Sequence, residues 1–306
     1  MADDLGKGNG AVLLLTGATG SIGSRLLPLL LEQGEDVRCL VREPRRLGER
    51  RVDVQIALGD LGQLSDPYLL RQALRGVDTV VHLAATIRDQ PPKRIEELNG
   101  LATVRLLRAA ERGGVERFHF FSALDAFSAQ RTRFFRAKWL AEQAVDSSSL
   151  ASTVFAPSIV YDHSDPWITL LRRFSFLPVL PVSGRGRAEF QPIWAADVAR
   201  CVIGALALGA GAAPRYELAG PERLSYDEMS DLVSRIAGRP RPLVHLPLPL
   251  IRSSLIALRS LFGEAVFATW EEAELMEVSM VSERGTADAQ ALGVEPRRMS
   301  DVLETT

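Results

Sequence analysis

Three residues between positions 122 and 138 have the types and spacing that proton and hydride chemistry would use. Ser122 ends an apolar run, and Lys138 follows sixteen positions later within a helical pattern. Proton transfer beside these two residues would need a titrating side chain on the same helix face, such as a tyrosine four residues before the lysine. Phe134 stands at that position here, and its ring can neither donate nor accept a proton. The stretch therefore predicts a site that keeps Ser122 and Lys138 but needs another route for the proton.

Lys138 is unusual within its own sequence. Only three of the 36 lysine and arginine residues are lysines, namely Lys7, Lys93 and Lys138, so positive charge in this chain is almost always carried by arginine. The four tyrosines, at positions 68, 161, 216 and 226, all lie away from position 134. Tyr161 follows an apolar, strand-like run, and it is the tyrosine that could point into a cleft. The candidate catalytic residues are therefore Lys138, Ser122 and Tyr161.

A glycine-rich segment near the start of the chain has the spacing of a phosphate-binding loop. Residues 16–24, TGATGSIGS, follow the first strand-like run directly and open a helical pattern. Three glycines at this spacing allow a tight turn and a close approach of the backbone to a pyrophosphate, whose charge the amides at the helix start would meet. A tight strand-to-helix turn without a ligand is the alternative. The residues predicted to contact the pyrophosphate are Gly17, Thr19, Gly20, Ser21, Ile22 and Gly23.

Strand-like apolar runs alternate with amphipathic helical patterns through the first half of the chain. The runs cover residues 11–17, 36–42, 52–60, 77–85, 115–123 and 152–161, and the helical patterns lie near 21–33, 65–75, 92–113 and 131–147. This alternation is typical of an α/β fold, a doubly wound parallel sheet of the Rossmann type with helices on both faces. It predicts a dinucleotide-binding domain over 11–160, with a late return at about 190–219, and a smaller, mostly C-terminal substrate lobe over 161–189 and 220–306.

The end of the second strand-like run discriminates between the two nicotinamide cofactors. An acidic residue there would accept hydrogen bonds from the free ribose hydroxyls of NAD. The run ends instead at Val41 and Arg42, and its acidic residue, Asp36, stands at the opposite end. Arg42 and Arg45 could hold a 2′-phosphate through charge-assisted hydrogen bonds. The sequence therefore favours NADP over NAD, with a solvated basic loop as the alternative.

Several motifs together resemble the extended and atypical short-chain dehydrogenase/reductases. They are TGATGSIG at 16–23, GD at 59–60, HLAA at 82–85, FSAL at 121–124, the lysine helix, APSIVY at 156–161 and QPIWAADVA at 191–199. The last motif and residues 216–239 are most similar to the NmrA-like and epimerase-like group that includes the nucleotide-binding accessory subunit of respiratory complex I and its stand-alone bacterial relatives. The resemblance implies a Rossmann fold and further cofactor contacts at Asp60, Leu61, Ala84, Ala85, Thr86, Ser122, Lys138, Pro157 and Ile159.

The same resemblance implies how the site would work. In active members the lysine holds the nicotinamide ribose and lowers the tyrosine pKa, the serine orients the substrate oxygen, and a residue placed like Asp60 meets the adenine amino group. The isoflavone-reductase-like and divinyl-chlorophyllide-reductase-like enzymes also lack the tyrosine, which implies that the lysine or a bound water can handle the proton. We therefore predict an NADP(H)-dependent oxidoreductase acting on a small apolar substrate. A non-catalytic NADP(H)-binding structural subunit or redox sensor is the alternative, and Phe134 favours it.

Composition and charge argue against several other classes of protein. A net charge of −2 does not suit nucleic-acid binding, and no pair among the four histidines has the spacing of zinc ligands, so we expect neither nucleic acid nor metal. Cys39 and Cys201 are expected to be free thiols of a cytoplasmic protein without an export signal or a membrane span. The apolar face of residues 248–262 predicts a lobe helix, with peripheral membrane contact as the alternative. A small molecule is the predicted partner, and the oligomeric state is left open.

Overall fold

A computed structural model describes residues 11–62, 67–90, 93–127, 129–251, 253 and 270–305 of the protein. The strands are β1 (Val12–Thr16), β2 (Asp36–Val41), β3 (Gln55–Leu58), β4 (Val77–His82), β5 (Arg117–Phe121), β6 (Ala151–Pro157), β7 (Val160–Tyr161), β8 (Leu180–Ser183), β9 (Glu189–Phe190), β10 (Ile193–Trp194), β11 (Arg215–Leu218), β12 (Leu224–Ser225) and β13 (Leu243–Leu246). Seven of them form a parallel sheet in the order β3, β2, β1, β4, β5, β6, β11. The predicted parallel sheet is confirmed.

Helices cover both faces of this sheet. They are α1 (Ser21–Glu32), α2 (Pro67–Ala73), α3 (Ala102–Gly113), α4 (Arg133–Asp146), α5 (Pro166–Phe174), α6 (Ala195–Leu208), α7 (Tyr226–Ile236), α8 (Trp270–Leu275), α9 (Ala287–Ala291) and α10 (Met299–Glu304). Alternate residues of β1 point to opposite faces: Leu13 and Leu15 pack with α1 and α6, and Val12 and Leu14 pack with α2, α3 and α4. The strand is buried on both faces, which explains its continuous apolar sequence.

The strand order reverses at β1, and this reversal positions the site. Strands β2 and β3 lie on one side of β1, and β4, β5 and β6 lie on the other. Such a reversal leaves a crevice outside the carboxyl ends of the central strands, where ligands of doubly wound folds bind. The amide of Leu83 donates to the Thr16 carbonyl (3.2 Å), so the segments that follow β1 and β4 meet at this crevice.

A third buried cluster is built mostly from residues after Ala156. It contains Tyr161, Val182 and Phe190, each with no measurable exposure. Three small sheets pair β7 with β10, β8 with β13 and β9 with β12 in the same part of the chain. Phe176, by contrast, is 66% exposed and belongs to the surface.

Three elements differ from the sequence-based expectation. The run 152–161 is two strands, because Ser158 bends the chain after β6: its amide donates to the Leu218 carbonyl (2.9 Å) and its hydroxyl to the Met280 carbonyl (2.7 Å). The helical pattern over 92–113 begins as a π turn at Glu97–Leu101 before α3. The basic run after β2 is a 3₁₀ segment, Pro44–Val52, broken at Gly48 by its φ of 62°.

Two features of the described chain concern membranes and metals. No helix in this part of the chain combines the length and the apolar character that a bilayer crossing requires. Within the same ranges, no group of three or more His, Cys, Asp and Glu side chains is arranged to hold a metal ion. Residues 252 and 254–262 of the apolar 248–262 segment lie outside the described residues. Cys39 and Cys201 are free and buried, and burial raises the pKa of each thiol to about 12.

Candidate functional site

The three glycines after β1 have different structural roles. Gly17 has a φ of 74°, and a Cβ there would lie 2.7 Å from the amide nitrogen of Ala84, so this glycine lets the β1 and β4 ends come together. A Cβ on Gly23 would lie 2.2 Å from the Gly17 carbonyl oxygen, which makes this glycine necessary for packing α1 on the loop. Gly20 is exposed, and its nearest neighbour would be the Gly17 oxygen at 3.3 Å. Of the three glycines, Gly20 is the one whose added Cβ would meet only a single atom, so it leaves the most room for a ligand.

The start of α1 has the features of an anion site. Gly20 is the N-cap residue and offers no side-chain hydrogen bond to the first turn of the helix. The first amides of α1, beginning at Ser21 and Ile22, therefore need an acceptor from outside the helix. Their partial positive charge and the open space at Gly20 fit a pyrophosphate.

Two contacts join α1 to the segment that leads into α5. Arg25 donates from Nε and Nη2 to the two carboxylate oxygens of Asp162, at 2.7 and 2.8 Å. Burial alone would raise the pKa of Asp162, but the hydrogen bonds and charge of Arg25 hold it below its usual value. The Ser21 hydroxyl lies 3.4 Å from Asp165, whose other oxygen caps α5 by accepting from the Trp167 amide (2.8 Å). Helix α1 is thus fixed to the segment that leads into α5.

The end of β4 is held by a buried histidine, His82, which begins the HLAA motif but received no role from the sequence. Thr103 donates to the Asn99 carbonyl (2.6 Å), so its oxygen accepts from Nε2 of His82 (2.9 Å). Nδ1 of His82 then accepts from the Thr16 hydroxyl (2.7 Å). Burial lowers the pKa of His82 to about 3, and the positive charge of Lys138 acts in the same direction. His82 is therefore a neutral link between β1, β4 and α3.

Asn99 extends this network to the loop that follows β4. Its side-chain oxygen accepts from the Thr86 amide (2.9 Å), and its amide nitrogen donates to the Thr86 carbonyl (2.7 Å). The Ala84 amide lies 3.3 Å from the Thr16 hydroxyl oxygen. The buried side chains of Thr16 and Asn99 therefore hold the backbone of residues 84–86. These are Ala84, Ala85 and Thr86, which were predicted to lie beside the cofactor.

At the other side of β1, four predicted residues follow the ends of β2 and β3. Arg42 is exposed, and its Nη1 donates to Oε1 of Gln90 (2.9 Å). Arg45 is exposed on the 3₁₀ segment. Asp60 accepts from the Gly62 amide (2.9 Å), and Leu61 beside it is partly buried. Gln90 was not expected at this site, because it lies far from Arg42 in the sequence.

Lys138 lies under the end of β5, and together with Ser122 and Phe134 it forms the candidate catalytic corner. Its side chain is buried, with Nζ donating to the Phe121 carbonyl (2.6 Å). The ammonium also lies 5.1 Å from the ring centre of Phe120 and 5.8 Å from that of Phe134. This confirms that Phe134 and Lys138 share one face of α4. Burial lowers the pKa of Lys138 to about 7, so the group can gain or lose a proton near neutral pH.

Two hydroxyls near the ends of β5 and β6 are buried without a hydrogen-bond partner among the described residues. They belong to Ser122, the residue after β5, and to Tyr161. Burial also raises the pKa of Tyr161 above its usual value. Pro157, at the end of β6, is buried, and Ile159 is partly buried. A tyrosine whose pKa is raised in this way is a poor proton donor. Ser122 directly follows Phe121, whose carbonyl accepts from Lys138.

A cluster of charges flanks this corner at the start of α4. Arg133 donates to both oxygens of Glu96 (2.7 and 2.6 Å) and to Asp89 (3.0 and 3.1 Å). The hydrogen bonds from Arg133 lower the pKa of Glu96. Arg88 pairs with Glu272 of α8 at 2.6 Å. These pairs join distant segments, which is why single-sequence patterns did not reveal them.

Comparisons with known proteins agree with this geometry. A family profile described as NAD(P)H-binding matches residues 17–207, well over half of the chain. A (4-alkanoyl-5-oxo-2,5-dihydrofuran-3-yl)methyl phosphate reductase of Streptomyces griseus is 30% identical over 80% of this chain and 81% of its own. The mitochondrial NADH dehydrogenase (ubiquinone) 1 alpha subcomplex subunit 9 of Arabidopsis thaliana is 28% identical over 80% of this chain, and the match spans 62% of that relative.

A solved structure shows the same fold. The NADPH-dependent quinone oxidoreductase QOR2 of Escherichia coli, complexed with NADPH, superimposes with a TM-score of 0.75. The alignment covers 96% of this chain and 99% of that one at 16% sequence identity. At this identity the likeness concerns the fold alone.

Proposed function

Because the chain belongs to the NAD(P)H-binding family, we propose that it is an NADP(H)-dependent oxidoreductase that reduces a small apolar substrate without a catalytic tyrosine. The observation that carries this proposal is the buried Lys138, whose pKa is lowered to about 7. A group that titrates near the working pH is what general acid catalysis needs. The unpartnered Ser122 hydroxyl beside it supports the same assignment.

Each group of the corner has a part in this proposal. NADPH, when bound, supplies a hydride from its nicotinamide ring. Ser122 donates a hydrogen bond to the substrate carbonyl and orients it. Lys138 holds the ribose and delivers from Nζ the proton that completes the reduction, then regains a proton from water. Phe134, partly buried on the same face of α4, gives the substrate an apolar surface and excludes water.

NADP(H) is the proposed cofactor because of the end of β2. Arg42 and Arg45 are both exposed there, and the residue directly after β2 is Arg42 rather than a carboxylate, with the exposed Glu43 following it. Two guanidinium groups suit a 2′-phosphate, whereas a ribose hydroxyl pair is usually read by a carboxylate. The two buried free thiols suit a reducing compartment, and we therefore place the protein in the cytoplasm.

A substrate screen tests the proposal. Aldehydes, ketones, enones and quinones are offered with NADPH to the parent protein and to the Lys138→Met and Ser122→Ala variants. We expect Lys138→Met to lower kcat about 100-fold or more, because general acid catalysis typically contributes about 10² to 10⁴ in rate. The Kd for NADPH should rise only by the equivalent of one or two hydrogen bonds, about tenfold. Turnover that survives Lys138→Met undiminished would refute the role of this lysine.

A non-catalytic NADP(H)-binding subunit or redox sensor is the second candidate. Phe134 and the deeply buried Tyr161 favour it, because the corner then has no phenol that reaches a substrate. One relative is a subunit of a respiratory complex, so this candidate includes a protein partner. It predicts NADPH binding without turnover of any substrate in the screen. Phe134→Tyr would then create a weak carbonyl reductase activity that the parent lacks, since Nζ of Lys138 already lies near this ring.

A further inference from the structure

Gln90 joins the ends of two strands that flank the adenosine side of the crevice. Its Oε1 accepts from Nη1 of Arg42 (2.9 Å), at the end of β2. Its Nε2 lies 3.4 Å from the Thr86 hydroxyl, after β4. The Gln90 backbone is fixed as well, since it exchanges two hydrogen bonds with Lys93 (3.0 and 2.7 Å). The exposed guanidinium of Arg42 is thereby held on one side by the Gln90 side chain, whose own position is fixed by these contacts.

The hold on Gln90 reaches into the buried part of the protein. Thr86, which Gln90 contacts, is bonded through both its amide and its carbonyl to the side chain of Asn99, which is 1% exposed. Asn99 in turn accepts at its carbonyl from Thr103. The guanidinium of Arg42 is thus the outer end of a chain of hydrogen bonds that starts in the core.

The Gln90 side chain that accepts from Arg42 is uncharged, and this matters as much as its position. Arg25 and Arg133 are bonded to carboxylates, which neutralise their charge. Arg42 forms no ion pair with any residue in the described ranges, and its partner there is a neutral amide oxygen. An amide fixes the direction of a guanidinium while leaving its positive charge and its other N–H groups for an anion.

Lys93 performs a related task at the neighbouring strand end. Its Nζ donates to the Gly62 carbonyl, and the Gly62 amide donates to Asp60 (2.9 Å). The Gly59 amide donates to the Val41 carbonyl (3.1 Å), so the turns after β2 and β3 are adjacent. Gln90 and Lys93 together brace the turns that carry Arg42 and Asp60.

We propose that Gln90 is a positioning residue for cofactor selection, which fixes the uncompensated guanidinium of Arg42 where the 2′-phosphate of NADPH binds. The proposal rests on the NADP(H) preference proposed above. It distinguishes Gln90 from a residue that only stabilises its loop, because a stabilising residue would affect both cofactors equally. NADH has no 2′-phosphate, so its affinity is independent of the direction of Arg42.

Three variants separate these possibilities when NADPH and NADH are titrated by calorimetry. Gln90→Leu removes the acceptor, and we expect NADPH to bind about threefold to tenfold more weakly, the effect of one hydrogen bond. Gln90→Glu keeps the acceptor but neutralises Arg42 and repels a phosphate, so NADPH should weaken further, by about tenfold or more. Gln55→Leu is the matched control, because Gln55 on β3 accepts from Arg38 on β2 at 2.9 and 2.6 Å, away from the crevice. NADH affinity should stay within about twofold of the parent in all three.

Each outcome would overturn a different proposal. Equal affinities of the parent for NADPH and NADH would overturn the proposed cofactor and this inference with it. A parent that prefers NADPH, together with a Gln90→Glu variant that keeps the preference, would overturn the inference alone. A Gln90→Leu variant that loses both cofactors equally would assign Gln90 to loop stability, and thermal melts of each variant identify any that is poorly folded.

Discussion

The proposed adenosine end of the crevice exposes a positive charge, at Arg42, whereas the candidate catalytic corner buries one, at Lys138. Arg42 is exposed and bonded to a neutral amide. Its positive charge is therefore hydrated and free to pair with an incoming anion. Lys138 is 3% exposed and bonded to one carbonyl, and burial brings its pKa to about 7. On the proposed function, the exposed arginine would serve cofactor binding and the buried lysine proton transfer, because burial lowers the pKa of the lysine towards neutral pH.

Substitutions in the glycine loop should have the largest effects, because Gly20 and Gly23 have separate proposed roles in cofactor binding and in packing. Gly23→Ala would place a Cβ 2.2 Å from the Gly17 oxygen and 2.7 Å from Cα of Ala18. We expect it to abolish NADPH binding and to lower the free energy of unfolding by about 1 to 3 kcal/mol, as overpacking does. Gly20→Ala, with its nearest atom at 3.3 Å, should melt like the parent and bind NADPH more weakly. Calorimetry and thermal melts compare the two, and indistinguishable variants would contradict these separate roles.

Lys138→Met probes the cost of burying a cation at the catalytic corner. Lowering its pKa from 10.5 to about 7 corresponds to about 5 kcal/mol at 1.36 kcal/mol per unit. The unfolded chain keeps this proton up to higher pH than the folded protein. Stability should therefore rise between pH 7 and about 9, by at most about 1.4 kcal/mol per pH unit. The variant should be more stable than the parent at pH 7 by a few kcal/mol and lack this rise.

Urea denaturation at several pH values between 6 and 9 measures this effect. Above about pH 9 the raised pKa values of Cys39 and Cys201 oppose the rise, which sets the upper limit of the window. Lys93→Met is the control, since Lys93 is a partly buried lysine outside the corner. A parent whose stability is level from pH 7 to 9 would show that Lys138 is not held with a lowered pKa.

Arg42→Ala gives the smallest of these effects and tests the adenosine end. A charge-assisted hydrogen bond is worth about 1.5 to 3 kcal/mol, so NADPH should bind about tenfold or more weakly. NADH should bind as before. Arg51→Ala changes another exposed arginine, on the 3₁₀ segment that follows Arg42, and controls for a diffuse basic surface. If both variants weakened NADPH equally, the segment would act only as a solvated cluster of charge.

Local patterns in the sequence were sufficient to predict the sheet and the glycine loop. The period of apolar residues and the three glycines act over a few neighbouring positions, so they can be read without the fold. The shared face of Phe134 and Lys138 was predictable for the same reason, because four residues make about one helical turn. The break after β6 was not, since it depends on contacts of Ser158 with Leu218 and Met280.

The residues that support the site were missed because their partners lie far away in the chain. His82 bonds to Thr16, 66 positions earlier, and Gln90 bonds to Arg42, 48 positions earlier. A polar residue inside an apolar strand was the one signal for His82, and such a signal indicates burial without naming a partner. Gln90 gave no signal at all, because an isolated glutamine in a loop is an ordinary surface residue.

The pH dependence of kcat/KM shows whether Lys138 supplies the proton. It is measured with NADPH and the best substrate of the screen, for the parent and for Lys138→Met. Since the donor must be protonated, the parent's kcat/KM should be level at low pH and fall about tenfold per pH unit above an apparent pKa near 7. Lys138→Met should lose this fall along with most of its activity. A parent profile that stays level up to pH 9, or a fall that persists unchanged in Lys138→Met, would contradict the account.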